Sequence, residues 1–173
     1  MVTGDRDLFQ LVDDAREVRV LYTNRGINDL EFVDEAAVAA KYGIPGRSYA
    51  DFAVLRGDPS DGLPGVSGVG AKTAAALINE FGSLAGIREA AARTAVPRAP
   101  LTAAVLKKLH AAAGYLDAAP EVVAVVTTID LPPVDGELPR RPADPDALAA
   151  LAEAHGLESS VRRLGAALGW PQD

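Results

Sequence analysis

Four aspartates stand in two pairs whose spacing suits a hard metal ion. Asp5 and Asp7 lie two residues apart in "GDRD", and Asp58 and Asp61 three apart in "GDPSD". Each pair follows a glycine, which lets the backbone turn sharply. Mg²⁺ and Mn²⁺ favour carboxylate oxygens, and Mg²⁺ keeps several waters. Carboxylates arriving from two separate elements could hold one or two such ions, an arrangement suited to phosphodiester hydrolysis. Simpler readings stand beside this one. Asp5 and Asp7 also suit a helix N-cap and first turn, and Asp58 and Asp61, flanking Pro59 and Ser60, suit a plain turn. There is no cysteine and there are two histidines. Disulfides and thiolate metal sites are excluded, and a histidine zinc site is disfavoured.

Directly after the second pair comes "GVSGVGAKTA", Gly65 to Ala74. Gly68 and Gly70 would let a phosphate approach the backbone with no Cβ in the way. The amides of the turn and of the helix start behind it form an anion site, to which Lys72 and Thr73 add a charge and a hydroxyl. Such a turn grips a duplex through phosphates, without reading sequence. A nucleotide-binding phosphate loop fails on spacing, because Gly65 is seven positions before Lys72 and Lys72 follows Ala71. A purely structural glycine turn remains the other reading. On the functional one, the turn holds duplex DNA while the adjoining carboxylates place a metal at the bond to be cut.

The elements that would position these groups are mostly helical. Leu8, Leu11 and Val12 have helical spacing within 7–15. Val18, Val20 and Tyr22 alternate within 17–23, which predicts a strand. A helix is expected from about Val33 to the terminating Gly43, and another over 48–57 with Ser48 as its cap. Helices follow over 71–82, after Ser83, and over one or two segments from Leu101. The β-branched run Val122 to Val134 suggests a short strand or extended arm. The prolines beyond it suggest a linker, and two glycine-ended helices close the chain. With aromatics at 5%, Ala, Val and Leu are expected to fill the core.

Net charge is −7, which weighs weakly against nucleic acid, but the charge is unevenly spread. Residues 1–61 carry seven Lys/Arg against twelve Asp/Glu, 62–114 carry six against two, and 115–173 carry four against ten. A basic island opening at the glycine turn is the footprint of a phosphate-contacting face. A solvated helix face would also account for it. No apolar run reaches the roughly 20 residues of a membrane span, and the N-terminus has no signal-peptide pattern. These features predict a soluble, cytoplasmic protein with no membrane partner.

"VTGDRDLFQLV" followed by "DFAVLRGDPSDGLPGVSGVGAKTAAALINEFGSL" closely resembles the bacterial 5'-3' exonuclease/flap endonuclease family, which includes the N-terminal nuclease domain of DNA polymerase I. The resemblance implies a mainly α fold with a small β component. It would comprise the C-terminal part of a PIN-like α/β nuclease (1–56), a helix-three-turn-helix DNA-binding module (57–114) and a C-terminal extension (115–173). It implies that Asp5, Asp7, Asp58 and Asp61 are Mg²⁺ or Mn²⁺ ligands. Gly65, Gly68, Gly70, Lys72 and Thr73 would touch DNA, and a K⁺ would sit on backbone carbonyls of Val66, Ser67 and Val69. Gly62 departs from the family's usual Asn. The implied partners are branched, flap or nicked DNA and a DNA polymerase. The resemblance also implies further acidic ligands and a basic helical arch N-terminal to this stretch. From that we expect weak or no cleavage by this chain alone, with DNA binding retained. A non-catalytic duplex-binding module is the alternative.

Overall fold

The computed structural model describes residues 1–24, 26–93, 96–133 and 136–171. The described residues are mainly helical with one small sheet, and contacts divide the chain into units 1–127 and 128–173.

The first unit opens with β1 (Val2–Thr3), parallel to β2 (Val20–Tyr22), which pairs antiparallel with β3 (Glu31–Val33). The expected helix over 7–15 is instead two 3₁₀ segments, Arg6–Leu11 and Asp14–Arg16. Asp13 breaks it. Its backbone exchanges two hydrogen bonds with Val18, both 2.9 Å, and its carboxylate accepts from the Arg16 amide at 3.1 Å. Local bonding of this kind competes with a helix. The same bridge, with Glu17 left-handed at φ 58°, delays β2 until Val20. Val33 also departs from expectation. It pairs with Val20 in the sheet, and the Asp34 carboxylate then caps α1 (Glu35–Tyr42) through the Ala37 amide at 2.8 Å.

α2 (Tyr49–Arg56) is the central element, with Tyr49, Phe52, Ala53, Val54 and Leu55 all buried. Ser48 makes no side-chain cap, because a 3₁₀ turn over Gly46–Ser48 runs straight into the helix. Phe9, Tyr22, Tyr42, Tyr49 and Phe52 form a chain of edge-on contacts, with centroids 5.2 Å apart for Phe9–Tyr22 and Tyr42–Tyr49. The few aromatics are therefore concentrated beneath the carboxylates, where edge-to-face pairs add to burial. Val, Leu and Ala, with Ile44, Ile78 and Ile87, fill most of the remaining core.

α3 (Ala71–Phe81) and α4 (Leu84–Arg93) follow, with the Ser83 hydroxyl accepting from the Gly86 amide at 3.1 Å. Positions 25, 94 and 95 lie outside the described residues. α5 (Ala103–Ala111) leads into α6 (Ala113–Val123), which packs on α2. Pro120 inside α6 has no N–H to give the Leu116 carbonyl. Arg88 of α4 donates to that carbonyl instead, at 3.3 Å, and also pairs with Asp117. The β-branched run expected as a strand from Val122 forms none among the described residues. α6 extends through Val123, and Gln10 engages the backbone of Val123 and Val125. Position 134, the end of that expectation, lies outside the described residues.

The second unit contains α7 (Pro145–His155) and α8 (Glu158–Leu168), each ended by a left-handed glycine, Gly156 and Gly169. Trp170 folds back within this unit, its indole donating to the Pro139 carbonyl at 2.8 Å.

Candidate functional site: an acidic pocket beside a glycine turn

β1 delivers the chain to Gly4, and the first carboxylate pair occupies the tight segment that follows. Asp5 accepts from the Asp7 amide at 2.9 Å, so it does cap this segment, and it also borders a pocket of about 570 Å³. Asp61, Arg6, Lys41, Tyr22 and Tyr42 border the same pocket. Asp7 lies behind Asp5, half-buried, and its Oδ1 is buried with no hydrogen-bond partner. Burial, followed by the charges of Asp61, Asp5 and Asp58, pushes the Asp7 carboxyl up to about 6. An orphaned carboxylate oxygen among like charges has the donor chemistry that a cation satisfies. Among the described residues, though, no three Asp, Glu or His side chains are already arranged as a metal cage.

Asp58 is placed differently from the other three. Gly57 ends α2 at φ 86°, and Asp58 then pairs its backbone with Leu63, turning its side chain inward. The carboxylate is fully buried beneath the groups that bond it. Arg6 donates at 2.9 Å, Arg56 at 3.2 Å, and the Ser60 hydroxyl at 2.5 Å. Burial alone would raise its pKa, but the Ser60 hydrogen bonds and the two guanidinium groups outweigh it and hold the carboxyl below its ordinary value. Asp58 thus bonds three protein donors, Arg6, Arg56 and the Ser60 hydroxyl. Asp5 and Asp61 line the pocket, and Asp7 stands close enough for its carboxyl to feel both of their charges.

The glycine turn continues from this clamp on unbroken backbone. Gly65 has φ 70°, and a Cβ there would lie 2.5 Å from the Arg56 carbonyl oxygen. Its amide points to the Tyr115 hydroxyl at 3.3 Å, and that hydroxyl donates to the Val54 carbonyl at 2.9 Å. Gly65 is therefore a packing glycine, and its amide turns inward to the Tyr115 hydroxyl. Gly68 also needs its left-handed φ of 73°. Gly70 does not: its φ is −90°, and a Cβ there would meet nothing within 4 Å. Gly70 is the N-cap of α3, a position at which glycine is favoured. Lys72 is exposed and Thr73 half-buried on the first turn of α3. Of the candidate K⁺ carbonyls, that of Val66 accepts from the Val69 amide at 2.8 Å. The neighbouring Gly68 carbonyl accepts from the Lys108 ammonium at 2.7 Å.

Sequence reasoning missed the residues that hold the pairs in place. Arg6, inside the first pair, and Arg56, two residues before Asp58, could have been suspected as its counter-charges. Gln10 and Lys108 carried no local signal. Gln10 donates to the Asp7 and Val123 carbonyls at 2.7 and 3.1 Å and accepts from the Val125 amide at 3.1 Å, partners more than a hundred residues apart in sequence.

Fold and site together define a mainly helical protein with a small three-stranded sheet and an acidic pocket beside a glycine turn. The chain belongs to the 5'-3' exonuclease family: residues 44–146 match the family described as 5'-3' exonuclease, C-terminal SAM fold. It is 56% identical over 164 residues to a 5'-3' exonuclease of Streptomyces coelicolor, covering 95% of this chain and 54% of that protein. It is 57% identical over 84 residues to DNA polymerase I of Mycobacterium tuberculosis strain H37Rv, covering 49% of this chain and 9% of that protein. The crystal structure of T5 D15 protein co-crystallized with metal ions superposes with a TM-score of 0.55 at 20% identity, over 70% of this chain and 42% of that one, a likeness of fold. The chain spans about half the length of the exonuclease it matches. No helix among the described residues is long and apolar enough to cross a membrane.

Proposed function

We propose that this chain is the DNA-holding and partial metal-binding portion of a divalent-metal 5'-3' exonuclease and structure-selective flap endonuclease. The observation that carries the reading is the orphaned, buried Asp7 oxygen near Asp5, Asp61 and Asp58, the last two on backbone that runs directly into the glycine turn. Asp5, Asp7 and Asp61 would hold Mg²⁺ or Mn²⁺. When bound, the ion supplies positive charge that stabilises the attacking and leaving oxygens of a phosphodiester. Asp58 would act by position: it ties Arg6, at the pocket, to Arg56, at the end of α2. The segment 57–114, with Gly68, Gly70, Lys72 and Thr73, would grip the duplex through phosphates.

Three carboxylates without a completed cage favour weak or no cutting by this chain alone. The natural partners would be branched, flap or nicked DNA, a DNA polymerase, and a further acidic nuclease segment. The same incompleteness favours, as a second reading, a duplex-binding module without chemistry. A 5'-flap DNA incubated with Mg²⁺ and either the chain or its Asp61→Ala variant separates the two. Cutting that the variant abolishes supports the nuclease reading, while salt-sensitive binding without cutting supports the module. Absence of duplex binding at low salt refutes both.

A further inference from the structure

Two cations border the acidic pocket, Arg6 and Lys41, and they are held differently. Arg6 is spent on protein acceptors: one guanidinium nitrogen reaches the Asp58 carboxylate at 2.9 Å and the Ser60 hydroxyl at 3.0 Å. Lys41, in the last turn of α1, donates to the two carboxylate oxygens of Glu31 on β3 at 2.9 and 3.2 Å. The side chains of that pair are 45% and 43% exposed, so water screens the attraction and the tether is weak. A second hold does not depend on Glu31. The Lys41 ammonium stands 5.9 Å from the ring centroid of Tyr22 and 5.8 Å from that of Tyr42, and both tyrosines border the same pocket. The rings attract the cation wherever its hydrogen bonds go, and an ammonium has three donors that can change partner.

Asp5 and Asp61, on the pocket lining, would repel a phosphate. A metal ion held by carboxylates offsets that repulsion, and Lys41 adds a positive charge that the protein itself supplies. The pocket, about 570 Å³, has room for a nucleotide. A single strand can turn one nucleotide into such a recess, whereas a stacked duplex cannot. Positive charge beside aromatic rings is also the composition of single-strand sites.

We propose that Lys41 is a phosphate-positioning residue of this pocket: on binding, its ammonium leaves Glu31 for a non-bridging phosphate oxygen of a DNA single strand, while Tyr22 and Tyr42 keep it in place. The inference deepens the nuclease reading, which supplies the metal, and does not depend on the hairpin's grip on duplex. Fluorescence anisotropy of the full chain with labelled oligothymidylate, bearing a 5'-phosphate or a 5'-hydroxyl, tests it in Ca²⁺, a hard cation that takes oxygen ligands. Blunt duplex serves as the control for the hairpin. Lys41→Met should bind the single strand about threefold to tenfold more weakly and flatten its salt dependence by up to about 0.7 in log–log slope, with blunt-duplex affinity unchanged. Glu31→Gln should bind the single strand up to about fivefold more tightly, and that gain should vanish when Lys41→Met is added. A loss confined to the 5'-phosphorylated strand assigns the terminal phosphate to Lys41, and a loss on both strands assigns an internal diester. Equal single-strand affinity in wild type and Lys41→Met overturns the proposal, as does a wild type that binds no single strand, or a Glu31→Gln gain that persists without Lys41. Single-strand binding no stronger in Ca²⁺ than in EDTA refutes the metal reading, and a wild type that binds no blunt duplex refutes the DNA-holding reading; in both cases the single-strand comparison still judges Lys41.

Discussion

Replacing Asp7 with Asn should make the protein more stable while removing a group needed at the pocket. The carboxyl is raised from 3.8 to about 6 by burial and by the charges of Asp61, Asp5 and Asp58. The folded state therefore binds the proton more tightly than the unfolded state. Well below pH 3.8 both states are protonated and there is no penalty. As pH rises through the window from 3.8 to about 6, the unfolded chain releases its proton first and stability falls. Complete ionisation corresponds to at most about 3 kcal/mol. Solvent reaching the half-buried carboxylate screens the repulsion and leaves about 1–2 kcal/mol at neutral pH. Asn carries no charge, so Asp7→Asn should gain that amount, a rise in Tm of roughly 3–6 °C for a chain of this size. Urea denaturation in EDTA, well below pH 3.8 and at neutral pH, measures the difference between variant and wild type. The variant should be more stable at neutral pH and lose that advantage in acid. Mg²⁺ should stabilise the wild type by mass action and the variant far less. A stability difference that is the same at both pH values, or a variant less stable at neutral pH, would show that Asp7 is not held among like charges and would remove its claim to a cation.

Asp58→Asn should move the other way, costing about 2–4 kcal/mol at neutral pH because Arg6 and Arg56 lose their shared counter-charge. The Asp58 pKa is depressed, so its contribution is present above the unfolded value of 3.8 and lost as pH falls through the lower folded value; denaturation at neutral pH and in acid checks both magnitude and sign. Gly65→Ala and Gly70→Ala should separate packing from contact. The first drives a Cβ to 2.5 Å from backbone and should cost about 3 kcal/mol or more by chemical denaturation. The second should stay within about 1 kcal/mol yet weaken duplex binding in an anisotropy titration. Gln10→Ala should cost about 1–3 kcal/mol by urea denaturation and raise amide hydrogen exchange at Val125, whose N–H it accepts at 3.1 Å.

The helical part of the fold was legible because its signals are local. α3 and α8 carry apolar periodicity and stop at Gly82 and Gly169, as their sequences indicate. The errors cluster where a distant partner outvotes local preference. Val33 has helical neighbours after it, yet Val20 recruits it into a strand. The β-branched residues after Val122 find no strand partner among the described residues, and Gln10 occupies their backbone. The site divides along the same line. Pairing and spacing pointed to the four aspartates, but the same spacing could not tell Asp61, at the pocket edge, from Asp58, buried under two guanidinium groups. Nor could the glycine spacing separate Gly65, pressed against α2, from Gly70, which faces open space.

The Asp58 clamp also changes what the motif around it can testify to. Its carboxylate ties Arg6, beside the first aspartate pair, to Arg56 at the end of α2. A lineage that gave up cutting DNA but still needed a folded hairpin would be unable to discard it. The "GDPSD" motif therefore serves the scaffold as well as the pocket. Asp7 is the reverse case: burial and the neighbouring carboxylates make its charge a burden on the fold.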